Sequence, residues 1–329
     1  MKRILAAAAI TMGLSFSGTA SAETVLKLGL IQPPNDSIGL AASEFARLVK
    51  ERTNGEIDIH VHHNGELGGS PQLAEGVRLG TIDIIITGSP YWSRFEPMLN
   101  VLDLPYIFES YEHAHTVADG EIGTELLNRL RKLRVQGLAY YEIGFRNVTN
   151  SKGPIHTPED LKGMKIRVSP NKAHTLAFKL LGANPVAMSF TEVYLALQTG
   201  AVDGQENPVH IIATGRLSEV QKYLSLTQHA YSVSIIAMNL AKFKGLTEEQ
   251  QKILIDTAHE TALGQRKMNQ DKQDGYLAQL RNDGMEINGD IDPAPFQAII
   301  KDAVWQAFAK DNKGGQEYID RIVAINPKS

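Results

Sequence analysis

The chain has 329 residues with 33 basic and 37 acidic side chains, a net charge of −4, 43% hydrophobic residues and no cysteine. That length suffices for two cored domains, and the charge speaks against nucleic acid, which rewards a basic face. The lack of cysteine rules out disulfides and a lipid-anchoring cysteine, and no stretch is low in complexity or repeats with a solenoid period.

Met1-Lys2-Arg3 is a short basic start, Ile4 to Leu14 is apolar, and Ala20-Ser21-Ala22 precedes Glu23. This is the pattern of a secretory signal peptide, with cleavage expected after Ala22. The apolar run is short for a membrane span. Residues 1–22 hold two basic and no acidic side chains, so the remainder carries 31 against 37, a net of −6. Export without cysteine suits a bacterial periplasmic protein held together by its core alone.

Val25 to Ile31 reads as a strand with Gln32 to Asp36 as its exit loop. Ser37 is positioned to cap a helix through Glu51, with Leu40, Ala41, Phe45, Leu48 and Val49 on one stripe. Ile57 to His62 alternates as a strand. Ser70-Pro71 opens a second helix, Ser70 as cap, ending at Gly80. Ile82 to Thr87 is almost continuously apolar, as a central parallel strand should be. This alternation predicts parallel α/β structure.

Val135 to Ile143 is a further strand, followed by Gly144-Phe145-Arg146-Asn147. Thr157 to Asp160 forms a capped turn. Lys165 to Ser169 alternates, with Ile166 and Val168 on one face and Arg167 on the other. Helices follow at 171–181 and 190–198, and Ala201 to Pro208 is a short strand entering a loop. Thr227 to Leu240 is a β-rich run long enough to pass between two sheets. Thr247-Glu-Glu-Gln250 is a capping box opening a helix to about Leu280, long enough to lie across two domains.

Six stretches carry a resemblance: LAEGVRLGTIDI (73–84), LDLPYIF (102–108), GFRNVTN (144–150), LKGMKIRVSPN (161–171), MSFTEVYLALQTGAVDGQENP (188–208) and GLTEEQQ (245–251). In this order and spacing the chain resembles the substrate-binding proteins of TRAP transporters, the tripartite ATP-independent periplasmic carriers. The resemblance implies an α/β, two-lobed periplasmic binding protein fold with mixed sheets, hinge strands and a long lobe-spanning helix. It divides the chain into the signal peptide 1–22, a first lobe of 23–144 plus 233–272, and a second of 145–232 plus 273–329. It implies that Arg167 binds the ligand carboxylate, with Arg146, Asn207, Phe190 and Glu75 around the ligand and the Pro34-Asn35-Asp36 loop reaching it from the first lobe. The expected partners are a small carboxylate and the membrane permease subunits, with no cofactor, no metal and a monomeric state.

The chemistry of these residues agrees. An arginine fixed on a strand presents a planar fork to a carboxylate, where a solvated ion pair is the plain alternative. Asn207 offers a donor and an acceptor, and Glu75 fits an anion site only by accepting from ligand hydroxyls or pairing with an arginine. Asn35, Asp36, Tyr91 and Trp92 stand on strand exits, which face the crevice in open α/β sheets. His60, His62, His63, His113 and His115 lack the spacing of a zinc helix. No nucleophile elbow, phosphate loop or dinucleotide fingerprint is present, so a secreted metal-dependent hydrolase is the distant reading. The first expectation is a non-enzymatic carrier of a sugar acid such as a uronate or aldonate; a C4-dicarboxylate is the alternative.

Overall fold

The computed structural model describes residues 23–325; the expected cleavage site lies outside the described residues. Nine strands form one mixed sheet: β1 Thr24–Leu30, β2 Ile57–His62, β3 Ile84–Gly88, β4 Val135–Asn150, β5 Lys165–Val168, β6 Asn184–Ala187, β7 Gly204–Asn207, β8 Tyr223–Asn239 and β9 Glu286–Asn288. Their order is β2-β1-β3-β8-β4-β7-β5-β6, with β9 beside β8. β1 runs parallel to β2 and β3, and β5 parallel to β6 and β7. Antiparallel β8 and β4 join the two groups.

β4 and β8 have 16 and 17 residues, roughly 50 Å when extended. The C-terminal part of β8 pairs with β3, while the C-terminal part of β4 pairs with β7. Each strand therefore serves both groups. Their shared register breaks between Gly137 and Ala139, between Glu142 and Gly144, and between Arg146 and Val148. Gly144 has φ 101°, a conformation that glycine adopts without strain. Such bulges re-aim side chains, and Arg146 stands between two of them. The segment expected to leave the sheet after Ile143 thus continues as strand.

The helix Ser37–Arg52 buries Ile38, Ala41, Ala42, Phe45 and Val49, but its cap is Asp36, which accepts from Ile38 N at 2.9 Å, rather than Ser37. The helix Ser70–Leu79 starts on Gly69, and Ser70 makes no capping bond. The long helix Glu248–Asn282 carries the expected capping box. Its buried positions run from Leu254 to Asn269 and resume only at Leu280.

Sequence periodicity assigns nothing to 93–134 or beyond 283. Helices Tyr111–Asp119, Glu121–Arg129, Ala294–Asp311 and Gly315–Ala324 occupy those regions. The last two tie distant parts together: Arg321 pairs with Glu125 at 2.9 Å, Trp305 Nε1 donates to Pro105 O at 2.9 Å, and Asp311 lies 3.4 Å from Lys172. The C-terminal segment thus touches both sides of the crossing strands.

Candidate functional site

A cleft opens where the exits of β1 and β3 face β4, β5, β7 and the helix Val209–Thr214. It encloses about 560 Å3 of space outside protein atoms, part of it open to solvent. Its lining includes Arg146, Arg167, Asn207, Phe190, Tyr91 and Asp36, six of the nine residues expected at the ligand.

Arg167 is fully buried on β5, and the strand face that carries it lines the cleft. Its Nε and Nη2 donate to Met188 O at 3.1 and 2.7 Å, and Nη2 also reaches Tyr91 OH at 3.3 Å. The Phe190 ring centre lies 5.9 Å from the guanidinium carbon, within cation–π reach. Nη1 has no partner among the described residues. The guanidinium is thus oriented by a backbone carbonyl, has no carboxylate partner among the described residues, and retains a free donor edge.

Arg146 is buried too, but in a different setting. Its Nε and Nη2 bind the Glu206 carboxylate, and Nη2 also donates to Glu206 O at 2.8 Å and Asn207 Oδ1 at 3.1 Å. Burial alone would raise the Glu206 pKa, but Arg146 and the neighbouring His229, 3.5 Å away, hold it well below the usual carboxylate range. Behind this pair Asp103 accepts from Ser232 Oγ at 2.6 Å. Burial pushes the Asp103 pKa up to about 7 against its hydroxyl bonds, and burial pushes that of His174 down to about 3. His174 lies 4.0 Å from both Glu206 and Asp103.

Opposite the arginines, Gln32 Oε1 and Ser70 Oγ are buried without partners among the described residues, and both residues line the cleft. Asp36 spends one oxygen on its helix cap and accepts from Thr214 Oγ1 at 3.1 Å with the other, bridging the walls.

Three expected site residues lie elsewhere. Glu75 pairs with Arg78 at 2.7 Å and lies 3.8 Å from Arg94, on a half-exposed helix face. Asn35 is exposed at the loop crest, because the turn that buries Asp36 points its neighbour out. Trp92 packs into the main core, its bulk apolar surface outweighing its place at a strand exit. Sequence reasoning also missed Gln32, Ser70, Glu206 and Asp103. Glu206 and Asp103 sit inside the quoted motifs, but only the fold shows what each faces. Ser70 reads equally well as a cap.

The family described as bacterial extracellular solute-binding protein, family 7, matches residues 28–311. The chain is 38% identical over 308 residues to the 2,3-diketo-L-gulonate-binding periplasmic protein of Escherichia coli K12, covering 94% of each. It is 35% identical to the C4-dicarboxylate-binding periplasmic protein of Rhodobacter capsulatus over 252 residues, 74% of each. Its structure is similar to that of a TRAP periplasmic solute-binding protein from Polaromonas sp. JS666 bound to D-erythronate, with TM-score 0.89 and 36% identity over 92% of this chain and 99% of that one. These relatives bind and deliver solutes and are not enzymes. With its mixed sheet, its crossing strands and a family match across most of its length, this chain belongs to the solute-binding proteins of TRAP transporters.

Proposed function

We propose that this protein captures a polyhydroxylated monocarboxylate, of the aldonate or uronate class, outside the cytoplasm and presents it to the permease subunits of its transporter. The observation that carries this reading is the charge balance of the cleft. Glu206 already neutralises Arg146, and Asp36 adds a negative charge on the opposite wall. Among the described arginines of the cleft, only Arg167 offers a free donor edge, which suits one carboxylate. A second carboxylate would face Asp36 and a compensated arginine. Gln32 and Ser70, buried and unpartnered, suit hydroxyl groups, since a buried polar group left unmatched is costly.

Two lobes, 23–144 with 233–272 and 145–232 with 273–329, would open and close about the crossing strands, and the Asp36–Thr214 bond would hold the closed form across the cleft. Arg167 binds the carboxylate, Asn207 and Arg146 complete that end, and Phe190 and Tyr91 cover it. Closure excludes water and strengthens the pairing. The protein acts as a monomer in the periplasm after cleavage at Ala22. The C4-dicarboxylate-binding relative keeps the two-acid reading in view.

A thermal-shift screen of residues 23–329 against aldonates, uronates, malate, fumarate and succinate tests the reading. A ligand at 1,000 times its Kd adds about 4 kcal/mol to stability, a shift of several degrees in a chain of this size. Stabilisation by hydroxylated monoacids is expected. Stabilisation by the C4-diacids alone would overturn the charge argument.

A further inference from the structure

A second cavity lies beyond the hinge, separated from the acid cleft by Ile143, which lines both. It encloses about 690 Å3 outside protein atoms, between β4, the segment Pro208–His210 and the long helix at 269–274. Its polar character is the reverse of the cleft's. No lysine or arginine lines it, while Glu142 and Asp274 do. The Asn269 side chain, only 6% exposed, donates its Nδ2 to Glu142 Oε1 at 3.2 Å and leaves Oδ1 without a partner among the described residues. The other Glu142 oxygen accepts from His115 at 2.6 Å and Tyr231 at 3.3 Å. Burial lowers the His210 pKa, so that ring adds no positive charge at neutral pH. Arg266, a nearby cation, is committed to Asp119 and Tyr140 O outside the lining.

Both charged side chains of the lining are acidic; Gln270, Gln273, His210 and the Tyr111 hydroxyl add neutral polar groups, and the remaining walls are apolar or aromatic. Ile143, Val209 and Pro208 supply apolar surface, and the Tyr111 and Phe145 rings meet edge to face at 4.9 Å between centres. The long helix buries nothing between Asn269 and Leu280, so its Asp274 carboxylate hangs over the opening rather than packing.

We propose that this hinge-side cavity is a second binding site, for a small organic cation of the alkylammonium class. Its ammonium N–H groups donate to Asn269 Oδ1 and to the carboxylates. Its charge is stabilised by Glu142, by Asp274 and by the Tyr111 face, and its short alkyl part lies on Ile143 and Val209. The proposal stands apart from the identity of the acid bound in the cleft.

The test is isothermal calorimetry of the mature chain with n-butylammonium chloride, with n-butanol and sodium chloride as controls. One saturable site for the ammonium and none for either control is expected. Asp274→Asn, on an exposed position, should weaken that site roughly two- to fivefold, the reach of an exposed charge pair. Asn269→Leu should abolish it while the acid ligand still binds. Absence of a saturable ammonium site, equal binding of n-butanol, or unchanged affinity in Asp274→Asn would overturn the assignment. Because Asp274 is exposed, this holds even where Asn269→Leu folds poorly.

Discussion

Arg167 and Arg146 are both buried, both on strands of the same sheet, and both line one cleft, yet they offer a ligand different things. Arg167 is held by the Met188 carbonyl and the Tyr91 hydroxyl, neutral partners that orient the guanidinium and leave its charge intact. Arg146 is held by a carboxylate that cancels it, backed by Asp103, His174 and His229. A buried arginine therefore counts toward ligand charge only after its internal partner is subtracted. Counting arginines along the chain suggests two carboxylate positions; the balance of partners leaves one.

The sharpest way to break this contrast is to remove the uncancelled arginine on one side and the cancelling carboxylate on the other. Arg167→Ala should cost about 2–5 kcal/mol of acid binding by calorimetry, since it removes the uncancelled charge. Wild-type affinity in that variant would sink the assignment. Glu206→Gln should cost about 3–5 kcal/mol in chemical denaturation, because Arg146 is left buried without compensation. Where that variant folds, its ratio of C4-diacid to monoacid affinity should rise, since the site gains a second free positive charge.

The contrast also predicts where pH acts. His174 is neutral when folded, with a pKa of about 3, while the unfolded chain takes up a proton there below about 6.5. Its contribution is therefore present above pH 6.5 and lost as pH falls toward 3. Asp103 works in the opposite direction: the folded state keeps its proton up to about pH 7, so its contribution is lost as pH rises through that value. His174→Gln should flatten the acid-side fall in stability by up to roughly 3 kcal/mol, and Asp103→Asn should steepen the rise between pH 4 and 7. Denaturation curves across that range, with no change in slope for either variant, would remove the cluster from this account.

Smaller effects belong to the opposite wall. Gln32→Ala or Ser70→Ala should cost about 0.5–1.5 kcal/mol toward a hydroxylated acid and close to nothing toward its deoxy analogue. Glu75→Gln, at a solvated pair outside the cleft, should change acid affinity by less than about 0.5 kcal/mol. A larger loss in calorimetry would return Glu75 to the site.

By itself the sequence determined much of the framework. The strand read at Val25–Ile31, the period-2 run at Ile57–His62, the capping box at Thr247 and the motif that places Arg167 on a strand all depend on local chemistry, which neighbouring residues express wherever they fold. It was silent where burial flattens periodicity, as in 97–103, where six of seven residues are buried. The tertiary structure alone decided that Trp92 joins the core, that Glu75 pairs outside the cleft, and that Gln32 and Ser70 enter it. It also decided that Glu206 meets Arg146 through the bulges of the crossing strands. Those outcomes depend on partners distant in the chain, and the charge a ligand meets is set by such pairings rather than by residue type.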